Sequence, residues 1–127
     1  MMAKADDGTG SIRLRRAYDE MGQNDGQRVL VDRMWPRGVK KDALDLTEWC
    51  KDVAPSDELR RWFAHDPDRW PEFQSRYRDE LRDHEDDVAR LADMAQQKRL
   101  TLVFAAKDRD RNNAVVLRSV LAERISS

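Results

Sequence analysis

Two short runs of apolar residues constrain the fold of this chain more than any other feature. Arg28–Asp32 (RVLVD) and Leu100–Ala106 (LTLVFAA) are continuous, rich in valine and leucine, and bounded by turn or charged residues. Alternation of polar and apolar residues would mark a strand with one wet face. An unbroken run marks a strand covered on both faces, as in a parallel sheet. A third segment, Ile12–Tyr18 (IRLRRAY), does alternate, with Ile12, Leu14 and Tyr18 on one side and arginines on the other. Glu20–Gly26 is a turn cluster and Arg33–Lys41 a loop broken by Pro36 and Gly38.

Between Asp42 and Gln97 the period becomes helical. Leu44, Leu46 and Trp49 are expected on a short helix or turn. Ser56 is placed to cap a helix whose first turn carries Asp57 and Glu58, where acids suit the positive end, and Leu59, Trp62 and Phe63 mark its buried face. His65–Asp68 ends it and offers Asp68 as the next cap. Trp70, Phe73, Tyr77 and Leu81 recur at spacings of three and four, and Val88, Leu91 and Ala95 continue the stripe. One helix over 69–98, or two with a break near Asp83–His84, both fit. Asn113–Ile125 reads as a closing helix. Strands alternating with helices predict an α/β fold: a small, mainly parallel sheet of about three strands flanked by helices, in one layered domain over 11–127. Residues 1–10, small and polar, read as a flexible N-terminal tail.

Composition narrows the function. Charged residues make up 39% of 127, yet the net charge is -1. No apolar run approaches the ~18 residues of a membrane-spanning helix. A nearly neutral chain is not a uniformly basic nucleic-acid binder, although the charge is uneven: residues 57–93 carry twelve acids against seven bases, and 98–112 carry five bases against two acids. A lone cysteine, Cys50, gives no intramolecular disulfide and points to the reducing cytoplasm. Two histidines and one cysteine form no usual zinc pattern, and the phosphate-loop, dinucleotide and nucleophile-elbow motifs are absent.

The candidate site follows from the strand ends. One buried run leads into Asp32-Arg33 and the other into Lys107-Asp108; if the strands are parallel, both ends share the sheet edge where open α/β sheets bind ligands. The closing helix would start beside them, with Asn112 and Asn113 as amide donors at its entrance. Arg33, Arg37 and Lys107 would hold an anion, and Asp32 and Asp108 would orient those cations or act as acid–base groups. The same residues also admit a purely local role, since an Asp after a strand often caps a turn and pairs with a neighbouring Arg. Trp35 either stacks a planar ligand or plugs the core beneath its loop. His65 beside Asp66 is either an oriented acid–base pair or a histidine at a helix C-terminus.

The segments VLVDRMWPRG (29–38), KDVAPS (51–56), RWFAHDP (61–67), AAKD (105–108) and NNAVVL (112–117) together resemble the YeaO-like bacterial family of small domains of unknown function. The resemblance runs collinearly over roughly 12–122 and implies a single α/β domain of the bacterial cytoplasm, without implying a reaction. Arg111 stands where the family is expected to carry His before the asparagine pair, and Cys50 where an aliphatic or amide residue is expected. An obligatory histidine chemistry would therefore be lost here, whereas anion binding tolerates Arg. The reading is a binding cleft for a small anionic ligand, phosphate-bearing or nucleotide-like, with an unknown cofactor and an undefined reaction if it is an enzyme. The alternative is a non-enzymatic module that docks a protein or, less readily, a nucleic acid.

Overall fold

The computed structural model describes residues 12–126 apart from Met21 and Gln23. The expected tail over 1–10 lies outside the described residues. Four strands, β1 (Ile12–Arg16), β2 (Gln27–Leu30), β3 (Glu48–Trp49) and β4 (Leu100–Phe104), form one all-parallel sheet in the order β1-β4-β2-β3. The helices are α1 (Asp57–Phe63), α2 (Trp70–Arg82), α3 (Glu85–Gln97) and α4 (Asn113–Ser126). The α/β class and the parallel sheet agree with the sequence; the strand count is four rather than about three. The additional strand, β3, occupies Glu48–Trp49, where a short helix or turn is expected, because Thr47 N–H donates to Arg28 O and Cys50 N–H to Leu30 O along the free edge of β2.

All four helices pack on one face. Leu100, Leu102 and Phe104 of β4, Val29 and Val31, and Ile12 meet Leu59 and Phe63 of α1, Phe73, Tyr77 and Leu81 of α2, Leu91 of α3 and Leu117 and Leu121 of α4 in one buried cluster. Burying each such large side chain contributes about 1.5–3 kcal/mol before entropy is counted. Among the described residues the opposite face carries no helix. Leu30 and Val103 are instead covered by Ala17 and Leu44, with Trp35, Val39, Leu46 and Trp49 packed against them. A loop thus does what a second helical layer does in other parallel sheets, which is why β2 and β4 read as unbroken apolar runs.

The same open face carries a polar cluster towards the amino ends of the strands. Asp25 and Arg28 are both buried and paired, and Arg15 and Arg13 reach the same carboxylate at 3.0 and 3.4 Å. Thr101 Oγ1 donates to Asp25 O at 2.7 Å, tying the cluster to β4. Gly26 takes φ 65, and a Cβ there would stand 2.4 Å from the Arg99 carbonyl, so this close passage of the chain against β4 requires glycine.

Ser56 caps α1 as expected, its Oγ accepting from Leu59 N–H at 3.1 Å. Its own N–H and hydroxyl donate to Glu80, pinning the start of α1 to α2. The next cap is Asp66 rather than Asp68: the Asp66 carboxylate accepts from Asp68 N–H and opens a single turn over Pro67–Arg69. Residues 69–98 form two helices, α2 and α3, separated at Asp83–His84. Among the described residues no helix is long and apolar enough to cross a membrane.

Candidate functional site

Because β2 and β4 are parallel, their carboxyl ends open on one edge of the sheet. There a cleft of about 690 Å³ lies between the loop after β2, the turn after α1 and the segment from β4 into α4. Asp32, Arg33, Trp35, Arg37, Lys107, Asp108, Asn112 and Asn113 all line it. Phe63 and Phe73, stacked at 4.3 Å, give it an apolar wall with Pro36 and Pro55.

The polar residues have different local roles. Asp32 is half-buried; its carboxylate accepts from Ala105 N–H at 2.9 Å and from Asn113 Nδ2 at 3.1 Å. Burial pushes its carboxyl above the ordinary value, and the Asn113 and Ala105 bonds and the charges of Arg60 and His65 only partly offset this. Asn113 also donates to Val31 O, so it buckles α4 onto the end of β2. Asn112 is buried and caps α4: its Oδ1 accepts from Val115 N–H and its Nδ2 donates to Asp108 O. The Asp108 carboxylate accepts from the N–H groups of Asp110 and Arg111 and from Arg111 Nε, and these bonds, led by the Asp110 N–H, hold it below the ordinary carboxylate value. Asn112 and Asp108 thus build the turn that presents Lys107.

Trp35 donates Nε1–H to Val39 O and meets Trp49 edge-on at 5.4 Å, so its ring is part of the loop's packing while still bordering the cleft. Arg33 reaches the carbonyls of Ala54 and Pro55 at 3.5 Å and Asp57 at 4.0 Å. Lys51 turns to the face of Trp49, and Arg111 to Asp108; neither lines the cleft. Arg37 and Lys107 differ from most of the chain's cations. Both are exposed on the cleft, and among the described residues neither side chain has an ion-pair or hydrogen-bond partner.

Two further side chains that can carry charge, Arg60 and His65, also line the cleft. Arg60 follows one turn into α1 and pairs with Asp57 at 3.0 Å. His65 enters from the turn after α1, while Asp66, its sequence neighbour, is occupied as a cap. Arg60 reads from sequence as one more charge on a solvated helix face, and only the proximity of α1 to the end of β2 brings it here. Among the described residues no group of three metal-ligating side chains is placed to hold a metal.

Geometry alone defines the class: a parallel α/β domain with a half-buried carboxylate and unpartnered cations at the carboxyl edge of its sheet. The comparisons then place it. The chain belongs to the family described as "Inactive DUF488-N3 subclade", whose model matches residues 11–127. It is 46% identical over 110 residues to the uncharacterised protein Rv3073c of Mycobacterium tuberculosis, covering 87% of this chain and 92% of the relative. It is also 46% identical over 107 residues to the uncharacterised protein YeaO of Escherichia coli, covering 84% of this chain and 93% of the relative. The YeaO-like resemblance read from the motifs therefore holds. No solved structure matches the chain significantly.

Proposed function

We propose that this protein is a cytoplasmic, single-domain binder of a small anionic ligand that carries an apolar or planar body, such as a phosphorylated metabolite or nucleotide. The observation that carries the reading is the pair Arg37 and Lys107, two unpartnered cations on one concave, largely apolar cleft. A mixed pocket of this size with a few convergent polar groups is the usual form of a small-molecule site. In a chain whose other arginines are mostly tied to carboxylates, cations left open on a cleft are available to an anion without first breaking an ion pair.

Binding without turnover is favoured over catalysis. Asp108, one of two carboxylates considered for acid–base work, is engaged by three donors in its own turn. Asp32 accepts from two fixed donors that hold it in place beneath the cleft. The word "inactive" in the family description agrees with this reading. A thermal-shift screen of phosphorylated metabolites and nucleotides against wild type, Arg37→Ala and Lys107→Ala tests it. Compounds that stabilise wild type should lose most of that effect in both variants; unchanged stabilisation in both removes the assignment.

A further inference from the structure

The turn that closes α1 sets at its two central positions an alanine, which does not favour positive φ, and a histidine, which enters it more readily than most side chains. Ala64 has φ 46 and His65 φ 58, and Asp66 N–H donates to Phe63 O at 2.9 Å across them. Two successive positive φ values within such a turn are the signature of type I′, whose central positions favour Asn and Gly. Only three non-glycine residues have positive φ among those described, and two of them stand here. Packing does not demand the histidine. It is exposed, its ring makes a tilted contact with Phe63 at 6.1 Å, and neither ring nitrogen has a hydrogen-bond partner among the described residues. What the strained turn achieves is placement: it sets the imidazole on the cleft, close enough to Asp32 for their charges to interact. A backbone strained at Ala64, kept in an exposed turn that delivers an imidazole to the cleft, points to a use for that side chain.

We propose that His65 is a ligand-contacting residue of the cleft, donating a ring N–H to the anionic group of the ligand and holding it most tightly as an imidazolium. This rests on the anion-binding reading above and adds to it a third contact and a dependence on pH, because an imidazole changes charge between pH 5 and 8. The charged groups that border the cleft with His65 are Asp32 at the end of β2, Arg33 and Arg37 in the following loop, Arg60 on α1, and Lys107 and Asp108 after β4. Of these, only Asp32 has a carboxyl displaced upward, so its ionisation must be separated from that of His65.

The test uses benzenesulfonate, an anion whose own charge does not change with pH and whose ring suits the Phe63–Phe73 wall. Its affinity is measured by titration calorimetry from pH 5 to 8 at constant ionic strength, for wild type, His65→Asn and His65→Gly. Asn and Gly both accept positive φ, so both variants keep the turn, and their melting temperatures report this directly. Wild type should bind about three- to tenfold more weakly at pH 8 than at pH 5, the scale of one charge-assisted hydrogen bond at a rim open to water. Both variants should bind with a flat profile, near the wild-type affinity at high pH. A pH dependence that survives in both variants assigns the effect to Asp32 and overturns the inference, as does a flat wild-type profile. Absence of binding by wild type at every pH overturns the anion-binding reading itself.

Discussion

Replacing Asp25 with Asn should destabilise this protein by about 3 kcal/mol, although Asp25 lies in a turn cluster and far from the cleft in function. Asp25 is 2% exposed and its partner Arg28 4%. Its carboxylate receives Gly22 N–H at 3.1 Å, Arg15 Nε at 3.0 Å and the Arg28 guanidinium. Breaking a buried pair by removing one partner typically costs about 3–5 kcal/mol, because the remaining charge stays buried without compensation. The lower end applies here, since Arg13 and Arg15 keep the far side of the cluster in contact with water. With an unfolding entropy near 2.1 cal/mol/K per residue, about 3 kcal/mol in a chain this long lowers the melting temperature by roughly 11 °C.

The reverse substitution should be milder. Arg28→Met leaves Asp25 its Arg15, Arg13 and Gly22 donors, gives up the Arg28 Nε bond to Leu44 O, and removes Arg28 Nη2, a buried nitrogen with no partner among the described residues. About 1 kcal/mol, or roughly 4 °C, is expected. Burial pushes the Asp25 carboxyl up, but Gly22 N–H, Arg28 and Arg15 outweigh it and hold it below its ordinary value of 3.8. Its contribution is therefore complete above that value and is lost as pH falls through the lower folded value. Urea unfolding at pH 7 and an acid titration of wild type, Asp25→Asn and Arg28→Met measure both effects. A loss below about 1 kcal/mol in Asp25→Asn, or a larger loss in Arg28→Met, would refute the reasoning.

Other outcomes follow from the same geometry. Asn112→Ala removes the α4 cap and the tie to Asp108 O, and should cost about 1 kcal/mol by chemical denaturation. Cys50 is buried, and burial together with Asp87 and Glu48 pushes its thiol up, so an aromatic disulfide reagent at pH 8 should modify native protein only as fast as it unfolds. The Asp32 carboxyl, followed by carbon NMR, should titrate above 3.8. Since its folded value is raised, its contribution to stability is full below the unfolded value and declines as pH rises through the folded one.

The readable parts of this fold were those whose sequence period carries the burial. β2 and β4 are visible because residues on both of their faces are apolar, and α2 because Phe73, Tyr77 and Leu81 keep helical spacing. β3 was not readable: two residues have no period, and the strand exists only because Thr47–Cys50 docks on the edge of β2. The Asp25–Arg28 cluster was hidden for a similar reason, since a turn Asp and a strand Arg look solvated until the sheet brings four charges together.

At the cleft, the common edge of Asp32 and Lys107 is legible in the sequence because parallel strands share their carboxyl ends. Groups that face the cleft are not distinguishable in the sequence from those that build it, such as Asn112 and Asp108, whose partners are set by local turn geometry. His65 was legible as a titratable residue but not as a neighbour of Asp32, because that proximity depends on two positive φ values.

The proposed function places a small anion at the carboxyl edge of the sheet, against Arg37 and Lys107. The most direct measurement is a two-dimensional amide NMR titration of nitrogen-15-labelled protein with phenyl phosphate. Saturable shifts confined to residues 32–37, 63–65 and 105–113 are expected, and their loss in the Arg37→Ala/Lys107→Ala double variant. Shifts centred elsewhere, for example in the groove between α2 and α4 around Arg78 and Glu123, or undiminished shifts in the double variant, would contradict it.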